Sequence, residues 1–354
     1  MHNDIDYTRR DFVRLTAGTV LAATAGAARN IQAAEPTGAE RPASAARPGI
    51  SCVSWNFHNL GAGNTRPEAA IEQIGEMGFE GIELILTGRA EIAAYWTDAA
   101  IDRIRKRLDH YKLRVPQFAL FQPVVEELTS SSAEDRAKAL DRFEAGCRIA
   151  ARLGAPIVNI VAPWARQLTA PTAGYYLPRY FDAAGAKPGV KFHIDIAPGY
   201  DWEQLWSTFV DTVAACVRRA KAHGLRFSIE NHTHTMMPQT DAFLRLWDAV
   251  RDPALGINLD LGWIALEREY PPVAIHKAGK RLMNVHARDI DGLMRRFVHA
   301  GQGVMDFKAI AEALKAVRFQ GFVSLEQDGQ PGDPPGAMQA TCRRYLAMMK
   351  EYLS

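Results

Sequence analysis

The chain has 354 residues, of which 47% are hydrophobic and 23% charged, with a formal net charge of +2. That is ample material for one large α/β domain or two smaller ones. The near-neutral balance gives no bulk attraction to nucleic acid or to an anionic membrane surface, and no run of about 18 apolar residues is present to span a bilayer.

Residues 1–34 read as an export signal rather than as part of a fold. Thr8-Arg9-Arg10-Asp11-Phe12-Val13-Arg14 precedes a mildly apolar stretch from Leu15 to Ala28, and Gln32-Ala33-Ala34 offers small residues for cleavage. Paired arginines followed by a phenylalanine resemble a twin-arginine signal, which implies a periplasmic or otherwise exported protein that crosses the membrane already folded. The alternative, a basic start to an amphipathic helix, lacks a polar helical face. Residues 35–48, rich in Pro, Ala and Ser, read as a linker.

From residue 49 to 354, strand-like and helix-like runs alternate eight times. The strands are expected at 50–56, 81–86, 115–121, 157–162, 227–232, 256–262, 282–289 and 322–328. Trp202, Leu205, Trp206, Phe209 and Val213 share one helical face, as do Phe307, Ile310, Ala311, Leu314 and Val317, with Asp306 as N-cap. Eight βα units closing on themselves make a single-domain (β/α)₈ TIM barrel. One connection is long: 163–200 shows no periodicity and holds Trp164, Tyr175, Tyr176, Tyr180, Phe181, Phe192, His193 and Tyr200. It reads as an aromatic wall beside the barrel mouth or as a self-packed surface loop. The four cysteines (Cys52, Cys147, Cys216 and Cys342) lie far apart, without metal-type pairing, and read as free buried thiols.

Strands of a closed parallel barrel are buried on both sides and should be almost uniformly apolar. The last four break this rule on one parity. Ser228, Glu230 and His232; Asn258, Asp260 and Gly262; Asn284, His286 and Arg288; and Ser324, Glu326 and Asp328 alternate with Ile229, Ile257, Leu259, Met283, Val285, Val323 and Leu325. Ionisable groups from four adjacent strands therefore converge near the C-terminal ends, where barrel active sites sit. Carboxylates buried together repel and are costly to desolvate unpaired. One divalent cation on Glu230, Asp260, His286 and Glu326 removes both problems; ion pairing to Arg288 or local lysines is the alternative. Three carboxylates and an imidazole suit Mn²⁺ best, then Mg²⁺, with Co²⁺, Fe²⁺ or catalytic Zn²⁺ also compatible.

The same motifs resemble the xylose-isomerase-like sugar phosphate isomerase/epimerase barrels over nearly the whole region from residue 49. The resemblance rests on the runs 228–232, 258–263, 284–289, 301–307 and 324–328. It implies that Glu230, Asp260, His286 and Glu326 bind one metal, and it spans epimerases, dehydratases, keto-sugar lyases and apurinic endonucleases. Ketose 3-epimerases of this family place His, Arg and Glu where this chain has Trp263, Gly292 and Met236. Those changes argue against a simple tagatose- or psicose-type enzyme, and the Glu-Gln-Asp ending at 326–328 is closer to the dehydratase branch.

The expected function is therefore a metal-dependent isomerase or epimerase working through a metal-stabilised enediolate of an unphosphorylated sugar or keto-sugar. Glu230 and Glu326 exchange the proton. The alternative is a lyase or dehydratase of an inosose or 3-keto-glycoside, which differs only after proton abstraction. A non-catalytic sugar-binding barrel and an apurinic endonuclease are lesser alternatives. His58, Glu83, His193, His232, His234, Trp263 and Arg288 are the candidate substrate-binding residues; the expected partners are a small carbohydrate, without nucleic acid or stable membrane insertion, and the sequence leaves room for a homo-oligomer. A reporter fused after residue 34 should be exported, and replacing Arg9 and Arg10 with Lys should abolish that export; unchanged secretion would remove the signal assignment.

Overall fold

Eight short runs of β-favouring residues pair in parallel into one closed ring in the computed structural model, which describes residues 47–58, 66–169, 195–293 and 296–354. The strands are β1 (Gly49–Val53), β2 (Gly81–Leu86), β3 (Phe118–Leu120), β4 (Ile157–Val161), β5 (Arg226–Glu230), β6 (Leu255–Asp260), β7 (Leu282–Ala287) and β8 (Phe322–Leu325). Each pairs with its sequence neighbours, and β8 returns to β1 with Ile50 opposite Val323. Each is followed by a helix: α1 (Glu68–Glu76), α2 (Asp98–Tyr111), α3 (Ala133–Leu153), α4 (Trp202–Ala222), α5 (Thr240–Val250), α6 (Pro271–Ala278), α7 (Phe307–Ala316) and α8 (Ala337–Leu353). This is the (β/α)₈ barrel that the alternation predicts.

The apolar parity makes the core between sheet and helices: Ile229, Ile257, Leu259, Val285, Val323 and Leu325 are all fully buried. Leu205, Phe209 and Val213 of α4, and Phe307, Ile310 and Leu314 of α7, cover the sheet from outside. Trp202, the first residue of α4, is 40% exposed and stacks on Trp206. Asp306 caps α7, accepting from the Ala309 backbone N–H at 2.9 Å. All four cysteines are free and buried. Among the described residues no helix is long and apolar enough to cross a membrane.

Several strands stop earlier than their polarity pattern suggests. β1 ends at Val53 and turns into a short helical run, Ser54–Phe57. β6 ends at Asp260, whose side chain accepts from the Trp263 N–H at 2.9 Å and starts a short helix, Leu261–Leu266. Glu326 lies one residue past β8, and Arg288 one past β7. Inward polar residues at these strand ends are released from the ladder to cap turns and line the mouth. The long connection after β4 is closed at its base by a two-stranded pair, Leu168–Thr169 with Asp195–Ile196. Tyr175, Tyr176, Tyr180, Phe181, Phe192 and His193 lie outside the described residues, as do residues 1–34 and most of the linker.

The loop after β7 is held by one buried carboxylate. Asp289 accepts from the backbone N–H groups of Ile290 and Met305 through one oxygen, and of Gly301 and Gly303 through the other, at 2.8–3.0 Å. Removing it leaves several of those donors without a partner, at a cost of about 1–3 kcal/mol for each one that stays buried. Asp289→Ala should therefore lower the unfolding free energy by about 2–4 kcal/mol, measured by urea denaturation; a loss below about 1 kcal/mol would mean the loop is held otherwise.

Candidate metal centre

Inside the barrel, the inward parity builds two polar layers. The lower one contains Ser51, Glu83, Gln117, Asn159, Ser228, Asn258, Asn284 and Ser324, each essentially buried. Glu83 is its hub. Its carboxylate accepts from Gln117 Nε2 at 2.8 Å, Asn284 Nδ2 at 2.7 Å and the Ser324 hydroxyl. The network continues sideways: Asn159 donates to Ser228, Ser228 to Gln117 Oε1, and Asn284 to Asn258 Oδ1. A buried carboxylate without such donors would be very costly.

The upper layer holds Glu230 at the end of β5, Asp260 at the end of β6, His286 on β7 and Glu326 just past β8. One donor atom from each lies within 4.8 Å of all the others, and all four residues are buried. That span is close to the about 4.2 Å between opposite ligands of a small divalent ion. His286 Nε2 lies 2.9 Å from Glu83 Oε2, which accepts from its N–H, and Nδ1 is the ring nitrogen that faces the cluster and would ligate a cation once the ring is neutral. Nδ1 is 2.8 Å from Glu326 Oε2 and 3.4 Å from Glu230 Oε2. Glu326 Oε2 is buried without any hydrogen-bond partner, although its distance to Nδ1 is short. Close contact without hydrogen-bond alignment is how two ligands of one ion face each other. The donor set and this orphaned oxygen fit a divalent cation.

Arg288 enters the same cluster. Its guanidinium donates to Asp260 Oδ2 at 2.9 Å, to Glu326 Oε1, and to Asp328 Oδ2 at 2.9 Å. It lies over the rings of Phe297 (4.4 Å) and Trp263 (5.7 Å). Gly262 permits this crossing, since a Cβ there would stand 2.7 Å from Arg288 Cβ. The ion-pair alternative is thus present: Arg288 pairs with Asp260 and Glu326, and a protonated His286 faces Glu230 and the second oxygen of Glu326.

The protonation balance shows the remaining strain. Burial pushes the Glu230 carboxyl above its ordinary range, with Glu326 adding to the shift and His286 opposing it. Burial likewise pushes Asp260 up to about 7, with Glu326 and Glu230 adding and Arg288 opposing. For Glu326 burial also pushes upward, but Arg288 and His286 outweigh it and hold the group well below the carboxylate range. Burial pulls His286 down, yet Glu83, Glu230 and Glu326 together raise it well above its ordinary value.

The other sequence-predicted residues divide. His232, Trp263 and Arg288 line the cavity of about 150 Å³ that also contains Glu230 and Glu326. Trp263 lies against the His232 ring with centroids 3.9 Å apart, and His232 Nδ1–H donates to the Thr233 carbonyl at 2.9 Å. Glu83 does not reach that cavity: it is fully buried in the layer below and acts on His286, not on a substrate hydroxyl. His58 lines a neighbouring cavity instead. His234, in a left-handed turn (φ 64°), is not among the residues lining the inner one. Composition and motif reading missed Trp55, whose indole N–H donates to Glu326 Oε1 at 3.0 Å, and Gln117 and Asn231. Trp55 continues the inward parity of Ser51 and Val53, which was the available signal.

A family model described as xylose isomerase-like TIM barrel matches residues 71–349. Among curated proteins, an inosose dehydratase of Clostridium beijerinckii is 23% identical over 146 residues, which is 36% of this chain and 49% of that one. An uncharacterized protein of Methanocaldococcus jannaschii is 26% identical over 145 residues, 37% of this chain and 49% of that one. The chain spans about half the length of these curated relatives. A solved D-psicose 3-epimerase, in the presence of D-fructose, superposes with a TM-score of 0.66 at 19% identity, over 86% of this chain and 99% of its own. The apo form of 3-keto-D-glucoside 4-epimerase from E. coli gives 0.63 at 19%, over 86% and 100%. These likenesses establish the shared fold.

If the four side chains hold a cation, Asp260, Glu230 and His286 must lose protons to it. Affinity for Mn²⁺ should then strengthen as pH rises through about 7, with proton release visible by calorimetry in buffers of differing ionisation enthalpy; a flat profile would remove the coupling. Glu83→Gln should weaken the same affinity by about 10- to 100-fold through loss of the His286 anchor, and unchanged binding would show that Glu83 only packs.

Proposed function

We propose, on the premise that this chain belongs to the xylose isomerase-like TIM barrel family, that it is a divalent-metal-dependent isomerase or epimerase of an unphosphorylated sugar or keto-sugar. The observation that carries this reading is the convergence of Glu230, Asp260, His286 and Glu326 on one point at the C-terminal mouth. Mn²⁺ is the ion we assign, from three carboxylates and one imidazole. When bound, such an ion supplies Lewis-acid polarisation of a substrate carbonyl and its neighbouring hydroxyl.

The chain's own groups supply the proton chemistry. Glu230 and Glu326 come from strands three apart in the ring and approach a bound sugar from different sides. One removes the proton beside the carbonyl and the other returns a proton, so inversion at carbon or movement of the carbonyl follows from which face and which atom is reprotonated. Asn258 Nδ2, donating to Glu230 Oε2 at 2.8 Å, and Trp55, donating to Glu326 Oε1, hold the two carboxylates in place. Trp55 and Trp263 line the cavity and give a sugar ring apolar faces. The solved neighbours that act on D-psicose and on a 3-keto-D-glucoside support a sugar substrate.

A lyase is the second reading. It is favoured by the relative named inosose dehydratase and by Gln327 and Asp328 following the ligand Glu326. The same proton abstraction would then be completed by departure of a β-substituent. We place the enzyme in the periplasm, on the Arg9-Arg10 and Phe12 pattern of residues 1–34, so that unphosphorylated sugars are its accessible substrates.

With Mn²⁺ loaded, turnover in D₂O should put deuterium on carbon without loss of any group from the sugar. A product lighter by water or by an aglycone would replace the isomerase reading with the lyase. Glu230→Gln and Glu326→Gln should each lower kcat by about 10²–10⁴-fold, and full activity after chelation of all metal would end the mechanism.

A further inference from the structure

The barrel has a second concave face. At the end where the strands begin, opposite the metal centre, a cavity of about 800 Å³ lies against Pro156, Arg226, Leu282 and Phe322. These residues stand just before or at the starts of β4, β5, β7 and β8. The volume falls within the about 300–1,000 Å³ of common small-molecule sites. None of the four groups assigned to the metal centre lines it.

The wall has two parts. Its buried part is apolar and includes Leu108, Leu113, Val115, Ile157, Leu282 and Phe319. Its exposed part is basic. Arg105, Arg114, Arg226, Lys280 and Arg318 border the cavity, and Asp109 is the one acidic residue of the lining. Among the described residues, the side chains of Arg105, Arg226, Lys280 and Arg318 make no ion pair or hydrogen bond. Arg114 lies over the Phe322 ring at 4.5 Å and meets Glu80 at 3.4 Å, a carboxylate that Arg47 holds more closely at 2.6 Å. Arg226 is partly withdrawn from water with no anion beside it, which pulls its guanidinium below the ordinary value.

A helix C-terminus favours nearby cations, and this accounts for Lys280 after α6 and Arg318 after α7. It does not account for Arg105 in the middle of α2, or for Arg114 and Arg226, which stand on strand-paired backbone beside Gly81 and Ile157. Like charges around one concavity repel, and an anion set among them relieves the repulsion. Four of the five are arginines, whose planar forks suit the paired oxygens of phosphate, sulfate or carboxylate. The apolar wall calls for more than a bare ion, because only a hydrophobic body on the same molecule takes that area out of water.

We propose that this cavity binds a small organic dianion, an apolar body carrying phosphate, sulfate or carboxylate groups, at the end of the barrel away from the metal centre. The body covers Leu108, Leu282 and Phe319, and the anionic groups reach Arg226 and Lys280. The assignment is independent of the isomerase reading.

Calorimetry on the Mn²⁺-loaded full-length protein tests it with three probes. Naphthalene-1,5-disulfonate carries both parts, sodium sulfate the charge alone, and 1-naphthalenemethanol the body alone. The disulfonate should bind at least about tenfold more tightly than either of the others, and less tightly as salt rises. Arg226→Glu combined with Lys280→Glu should weaken it by about tenfold or more. Arg218→Glu combined with Lys308→Glu, an equal charge change at exposed positions outside the cavity, should leave it within about twofold. Glu230→Gln should not alter it, and melting curves confirm that each variant is folded. Absence of disulfonate binding, equal binding of sulfate or of the alcohol, or equal weakening by both charge-reversed pairs would overturn the assignment. Loss of binding in Glu230→Gln would do the same, by moving the probe to the metal centre.

Discussion

Four carboxylates are crowded into the interior of this barrel, and two side chains of opposite charge are available among them. Glu83, Glu230, Asp260 and Glu326 are all buried, and the groups interleaved with them are His286 and Arg288. Removing a carboxylate from water costs several kcal/mol unless charge and hydrogen bonds replace the solvent. The arrangement meets that demand unevenly. Glu83 has donors on every side, Asp260 has a backbone N–H and a guanidinium, whereas Glu230 is pushed toward its neutral form and Glu326 keeps an unpaired oxygen. The imbalance points inward, to the one place where a small cation would touch all four ligand atoms.

The layer beneath makes that geometry stiff. Gln117, Asn159, Ser228, Asn258, Asn284 and Ser324 form a continuous hydrogen-bonded floor whose members come from different strands. A floor of this kind ties strand positions to one another by direction-specific contacts, which apolar packing alone would not do. Glu83 transmits that order upward through His286, so the imidazole presents Nδ1 to the cluster.

Arg288 links this centre to the mouth. It neutralises part of Asp260 and Glu326, yet it also grips Asp328, which lines both the inner cavity and the neighbouring one. Trp55 makes the corresponding link on the opposite side, through Glu326. Groups at the edge of the inner cavity are therefore already hydrogen-bonded to Asp260 and Glu326.

Much of this was readable in the order of residues. Period-two alternation in the last four strands separates Glu230, Asp260, His286 and Glu326 from Ile229, Leu259, Val285 and Leu325, because a strand can only send neighbours to opposite faces. Eight repeats of strand and helix then imply closure, and closure makes the inward set converge. What the order of residues could not decide is height and neighbourhood. Glu83 has the same parity as Glu230, Asp260, His286 and Glu326 but stands one layer lower, because strand tilt and register set depth along the barrel axis, and His58, beyond the short helical run after β1, lines a different cavity. The reach of Trp55 to Glu326 and the three-carboxylate grip of Arg288 arise from contacts between residues 28 to 271 positions apart, which only the folded chain brings together.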